Sequence, residues 1–98
     1  MKDFIERLNK AFENRFRLGI MSTLMINDKV DFSTLKEMLD LSDGNLASHI
    51  TALENAGYVK VEKRFMGKKP NTLYRVTATG KKAFIQHLDA LEDLLKQR

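Results

Sequence analysis

Ser42-Asp43-Gly44-Asn45-Leu46-Ala47-Ser48-His49-Ile50-Thr51-Ala52-Leu53-Glu54-Asn55-Ala56-Gly57-Tyr58 has a helix start, an apolar stripe and a helix stop in immediate succession. Ser42 or Asp43 is a good N-cap, because a short side-chain oxygen satisfies an N–H that the first turn leaves unpaired. Leu46, Ile50 and Leu53 recur at helical spacing and define the inward face. Gly57 stands at the C′ position, where a left-handed residue ends a helix. Just upstream, Ser33 is the expected N-cap of a helix of about two turns, with Glu37 one place beyond the ideal capping-box position. Its apolar face is Leu35, Met38 and Leu39. Asp40-Leu41-Ser42-Asp43 is the tight connection between the two, and Leu41 is its one apolar residue.

Two short helices joined by a few residues, the second capped at both ends, carry the signature of a helix-turn-helix. Working outward, the period changes to two after Gly57. Tyr58 to Phe65 and Thr72 to Thr77 read as strands, and Met66-Gly67-Lys68-Lys69-Pro70-Asn71 reads as the loop between them. The pair predicts a β-hairpin with a basic tip. Thr77 is the expected N-cap of a closing helix. Toward the N-terminus, Asn14 is expected to cap a helix through Phe16, Leu18, Ile20, Met21, Leu24 and Met25, and Val30-Asp31-Phe32 reads as a short extended piece. Phe4, Ile5, Leu8 and Phe12 predict an opening amphipathic helix. The expected fold is mainly α with a small β-hairpin (α+β), a winged helix-turn-helix. It forms one domain over 1–98: a helical core at 14–57 with the helix-turn-helix at 33–57, a wing at 58–77 and a closing helix at 78–98. A chain of 98 residues fits one domain and buries a modest core.

The charge distribution points to the partner. Residues 1–59 hold seven basic side chains against nine acidic, whereas residues 60–82 hold eight against Glu62 alone. The positive charge of a chain with net +4 is thus concentrated in the hairpin and the start of the closing helix, where a polyanion is met locally. With Leu46, Ile50 and Leu53 inward, the 100° step turns Gly44, Ser48, Thr51 and Asn55 outward, flanked by Asn45, Ala52 and His49. That face is small and polar, suited to lie in the major groove of duplex DNA. The helix has no Lys or Arg and contains Asp43 and Glu54. Phosphate neutralisation dominates affinity, so the grip is expected from the wing, at Arg64, Lys68 and Lys69. His49 has two readings, a phosphate contact or a ring packed at a helix edge. Two other classes stay open, a winged-helix module that docks on a partner protein and a binder of structured RNA.

Phe84, Leu88, Leu91 and Leu95 are spaced like a coiled-coil seam, and Ile85 and Leu94 widen the stripe beyond what one small domain covers. We expect a homodimer interface there, joined by Phe4, Leu8 and Phe12. No apolar run approaches the roughly 18 residues of a membrane span. The opening Met1-Lys2-Asp3-Phe4-Ile5-Glu6-Arg7 lacks the apolar region of a signal peptide, so the expected address is the cytoplasm. With no cysteine and with His49 and His87 far apart in sequence, no metal or other cofactor is expected. Gly67-Lys68-Lys69 lacks the earlier glycine and the Ser or Thr of a phosphate-binding P-loop. The carboxylates are scattered beside basic residues, as on a salt-bridged surface. No catalytic constellation stands out, and an enzyme is not expected.

The run Leu41 to Ile50, with Leu53-Glu54 and Ala56-Gly57-Tyr58-Val59, resembles the recognition region of ArsR/MarR-like winged-helix transcriptional regulators. Phe65 to Tyr74 and Thr77-Ala78-Thr79-Gly80 are similar to the wing and closing-helix start of a compact subgroup of them. The resemblance implies a dimer on a pseudo-palindromic operator, with the N- and C-terminal helices at its interface. It places helix contacts at Gly44, Asn45, Ala47, Ser48 and His49, and wing contacts at Arg64, Lys68 and Lys69; Ser42 and Thr51 complete the candidate set. Ser48 stands where many relatives carry Arg or Lys, and the Cys or His ligands of metal-sensing relatives are absent. No residue identifies a small-molecule effector.

Overall fold

The computed structural model describes residues 2–96. Met1, Gln97 and Arg98, which the expected spans 1–98 and 78–98 include, lie outside the described residues. In chain order the elements are α1 (Lys2–Arg7), a 3₁₀ turn (Lys10–Phe12), α2 (Arg15–Ile26), β1 (Val30–Asp31), α3 (Phe32–Leu39), α4 (Asp43–Asn55), β2 (Val59–Met66), β3 (Lys69–Val76) and α5 (Ala78–Leu95). The three strands form one antiparallel sheet in the order β1-β3-β2. This is the winged-helix architecture, mainly helical with a small sheet.

Caps place the helices. Asn14 accepts the N–H groups of Phe16 and Arg17 at 2.9 and 3.1 Å and starts α2. Ser42 Oγ accepts from the Asn45 N–H and starts α4, and Thr77 Oγ1 accepts from the Gly80 N–H and starts α5. Both helices of the helix-turn-helix end the same way. After α4, Tyr58 N–H donates to the Leu53 carbonyl and Gly57 N–H to that of Glu54, with Gly57 at φ 81°. After α3, Leu41 N–H donates to Lys36 and Asp40 N–H to Glu37, with Asp40 left-handed at φ 51°. These paired bonds are the Schellman pattern, and they turn the chain without leaving the last carbonyls unpaired. Leu41, the residue after the left-handed one, is buried in the core.

Three local expectations are corrected. The opening segment is not one helix through Phe12. Asn9 breaks it, because its side chain accepts from the Ala11 N–H and caps the 3₁₀ turn instead. α3 is capped by Asp31 rather than Ser33. Its carboxylate accepts from the Thr34 N–H at 2.8 Å, and hydrogen bonding from the Thr34 side chain, then from its backbone N–H, holds its pKa below the ordinary value. The wing loop is shorter than 66–71. Strand pairing runs to Met66↔Lys69, leaving Gly67 and Lys68 as a two-residue turn. Gly67 has φ 64° and Lys68 does not have positive φ, the pattern of a type II′ turn. Pro70 is tolerated inside β3 because β1 pairs only with Leu73 and Tyr74, so Pro70 lies on an open edge.

The core gathers Ile20, Met21 and Leu24 of α2, Leu35 of α3, and Leu46, Ile50 and Leu53 of α4, closed by Val59 and Tyr74 from the sheet. Phe12 is fully buried among three rings, 5.2 Å from Tyr58, 5.2 Å from Phe84 and 5.4 Å from His87 between centroids. Phe12 and Phe84 are therefore core residues of the protomer, a correction to their expected place in a dimer contact. The inward face of α5 runs Gly80, Phe84, His87 and Ala90. The later part of the expected seam is different: Leu88, Leu91 and Leu95 are exposed, together with Ile85 and with Ile5 of α1. α1 packs along α5, with Arg7 paired to Asp93 at 2.7 Å; Phe4 and Leu8 are half-buried there. Among the described residues no helix is long and apolar enough to cross a membrane.

Candidate nucleic-acid interface

Leu46, Ile50 and Leu53 anchor α4, so its opposite face is turned to solvent by helical geometry alone. Gly44, Asn45, Ala47, Ser48 and Thr51 are all exposed. Ser42 is exposed as well, but its hydroxyl already accepts from the Asn45 N–H. It fixes the start of the helix, where N–H groups and the positive end of the dipole favour a phosphate. Asp43 adds an unfavourable charge at that end, which Lys36 of α3 offsets at 2.8 Å.

His49 is placed on the flank of α4 rather than its outer face. Its ring tilts against Phe16 of α2 at 5.6 Å, and its Nδ1 lies 3.2 Å from the Arg17 guanidinium. Arginine has donors only, so Nδ1 accepts and the ring proton sits on Nε2. Burial, and then the Arg17 charge, hold the His49 pKa below its ordinary value. The packed-edge reading of His49 is thus the one the contacts describe. Arg17 is fixed in turn by donating from Nε to the Ala11 carbonyl at 2.6 Å, and Arg15 lies 5.0 Å over the Phe16 ring. Arg17 thereby stands against the flank of α4, which has no cation of its own, with Arg15 over the adjoining Phe16 ring. Sequence reading missed Arg17, since the summed charge of residues 1–59 hides that it folds onto His49 at the edge of α4.

On the wing, Lys63, Arg64, Lys68 and Lys69 are exposed. Glu62, the one acid of this region, is engaged by Lys29 at 2.9 Å and Arg75 at 3.4 Å, contacts that hold its pKa down. Arg75 also reaches Asp28 at 3.4 Å. Arg75 is therefore part of a neutralised cluster. Among the described residues, Lys63, Arg64, Lys68 and Lys69 have no ion pair, and their charge is available to a polyanion. The geometry thus joins a small polar helix face with unpaired cations on a rigid hairpin, which suits groove reading by one element and phosphate attraction by the other.

A helix-turn-helix with a basic wing defines the class of winged-helix DNA-binding regulators, which are not enzymes. Residues 16–95 match the winged helix DNA-binding domain family, and the chain belongs to that family. An uncharacterized protein of Methanocaldococcus jannaschii is 32% identical over 87 residues, covering 89% of this chain and 95% of that one. The structure of a transcriptional regulator homologue from Pyrococcus horikoshii is similar at 34% identity, with a TM-score of 0.88 over 99% of this chain and 97% of that one. A MarR family transcriptional regulator of Streptomyces coelicolor, solved in complex with DNA, shares the fold at a TM-score of 0.70 and 16% identity, over 99% of this chain and 67% of that one.

Proposed function

We propose that this protein is a cytoplasmic, homodimeric transcriptional regulator that binds a pseudo-palindromic duplex operator in a sequence-specific manner. The observation that carries the reading is the exposed polar face of α4 lying in the same protomer as four unpaired wing cations. α4 enters the major groove, with Asn45, Ser48 and Thr51 directed at base edges and Gly44 and Ala47 allowing close approach. Arg64, Lys68 and Lys69 hold the backbone or the adjacent minor groove. Ser42 and His49 act by position, Ser42 as the cap and His49 through the Nε2–H that its bond to Arg17 leaves as donor. The exposed row Leu88, Leu91 and Leu95, with Leu8 and Phe4 alongside, supports a two-fold contact between protomers. Two recognition helices related by that axis address half-sites about one helical turn apart.

Selection of bound duplexes from a random pool tests this directly, repeated at two salt concentrations. An enriched inverted repeat, bound more weakly at the higher salt, is the expected outcome. Binding without enrichment would leave electrostatics as the whole DNA interaction and overturn the sequence-specific reading. Preference for a folded RNA over the duplex in competition would do the same.

A further inference from the structure

Phe65 is 75% exposed and Met66 60% exposed, at the far end of a hairpin that is otherwise basic. Burying a phenylalanine is favourable, yet the protomer leaves this one in water. The register pairs Phe65 with Pro70 and Met66 with Lys69, so the two rings lie side by side on one face, one pair short of the turn. Met66 is on the other face, where Asn71 Nδ2 donates to its sulfur at 3.2 Å. No aromatic neighbour engages Phe65 among the described residues. Pairing is unbroken from Val59 to Met66 and the turn has two residues, which makes the tip narrow and stiff.

What surrounds these apolar groups selects the occupant. Residues 63–72 hold Lys63, Arg64, Lys68 and Lys69 and no acidic residue. An apolar point ringed by unpaired cations complements a slot with an apolar floor and anionic walls. The minor groove has that character, with stacked bases between two rows of phosphates about 6 Å apart. Proteins that place Phe, Met or Pro between base steps there partly unstack them and kink the duplex by roughly 20–90°.

We propose that the wing tip is an apolar wedge: Phe65, braced by Pro70, enters the minor groove beside each half-site, opens a base step and bends the operator. This rests on the duplex-binding reading above and adds to it a second mode of recognition. Specificity then arises partly from steps that yield easily, such as pyrimidine–purine steps, at positions no side chain reads directly. Met66 keeps to the opposite face and is not the wedge.

The test compares wild type, Phe65→Ala and Lys68→Ala/Lys69→Ala on the selected duplex, with end-to-end energy transfer reporting the bend and 2-aminopurine at the flanking steps reporting unstacking. Phe65→Ala should keep the melting temperature, since its ring is exposed. It should lose about tenfold in affinity, in line with aromatic–base stacking, along with the bend and the 2-aminopurine signal, while the salt slope is unchanged. The lysine pair should do the reverse, lowering the slope. If Phe65→Ala binds and bends the enriched duplex as wild type does, the wedge is refuted and the DNA-binding reading survives. If Phe65→Ala instead abolishes a higher assembly of the free protein and leaves DNA binding intact, the occupant of the tip is a second copy. If wild type binds no duplex at all, both readings fall together.

Discussion

Replacing Lys68 and Lys69 by alanine isolates the electrostatic part of the interface, and Arg75→Ala is its built-in control. Among the described residues the two lysines have no ion pair, so each is free to neutralise one phosphate, whereas Arg75 is held by Asp28 and Glu62. Loss of two phosphate contacts reduces the slope of log affinity against log salt by about 1.8 per half-site, at about 0.9 per contact. Over the fourfold range from about 50 to about 200 mM salt, that change amounts to about 12-fold. The variant is therefore weakest relative to wild type at low salt, and the gap closes by about 12-fold per half-site as salt rises. In the proposed dimer both half-sites contribute, so the slope changes by about 3.6 and the gap closes by about 150-fold over the same range. Arg75→Ala removes one charge from a cluster whose carboxylates already screen it, so its slope should match wild type. Fluorescence anisotropy on the selected duplex at four or five salt concentrations measures all three. An unchanged slope in the double variant would show that the wing does not grip phosphate. An equal fall in Arg75→Ala would show that overall charge matters and its placement does not.

Further outcomes follow from the packing. Gly57→Ala should cost about 1–2 kcal/mol, because φ is +81° and the surrounding space is open, so the penalty is conformational alone. Gly80→Ala should cost more, since its Cβ would overlap the Tyr58 carbonyl, which is backbone and already bonded to the Thr77 N–H; equal denaturation midpoints for Gly80→Ala and wild type would refute the close approach. His87 Nδ1 accepts the Asn9 N–H at 2.9 Å, and burial holds the ring's pKa below 6.5, more than Glu13 raises it. The unfolded chain then binds the proton more readily, so stability is full above pH about 6.5 and falls as pH drops below it toward the lower folded value. His87→Gln, whose amide oxygen accepts at any pH, should flatten that acid limb, and an unaltered limb in thermal melts would refute the assignment. Leu88→Glu with Leu91→Glu should halve the mass seen by sedimentation and leave the fold intact. Phe84→Ala, by contrast, should lower stability by about 3–5 kcal/mol; a wild-type monomer would refute the interface.

The helix-turn-helix was legible because every signal for it is local. Ser42, the Leu46–Ile50–Leu53 stripe and Gly57 act within one or two turns of where they stand, so caps and periodicity suffice to place α4 and its outer face. The same holds for the basic hairpin, whose alternation and charge need no partner to be read. What misled sequence reading was periodicity with more than one way to be satisfied. Phe84, Leu88, Leu91 and Leu95 are one stripe in sequence, yet Phe84 meets the Phe12 ring while Leu88, Leu91 and Leu95 stay exposed, and only the arrangement of the other elements separates them.

The sequence by itself determined most of the elements, the outward polar face of α4 and the basic wing, since backbone capping and side-chain period are short-range properties. Tertiary structure decided which groups remain free to act. It turned Arg17 onto His49, consumed Arg75 and Glu62 in one cluster, closed Asn9 onto His87 and Tyr58, and left Phe65 in water. Each of these depends on partners 13 to 78 positions apart or on the absence of a neighbour, and no local pattern encodes such distances.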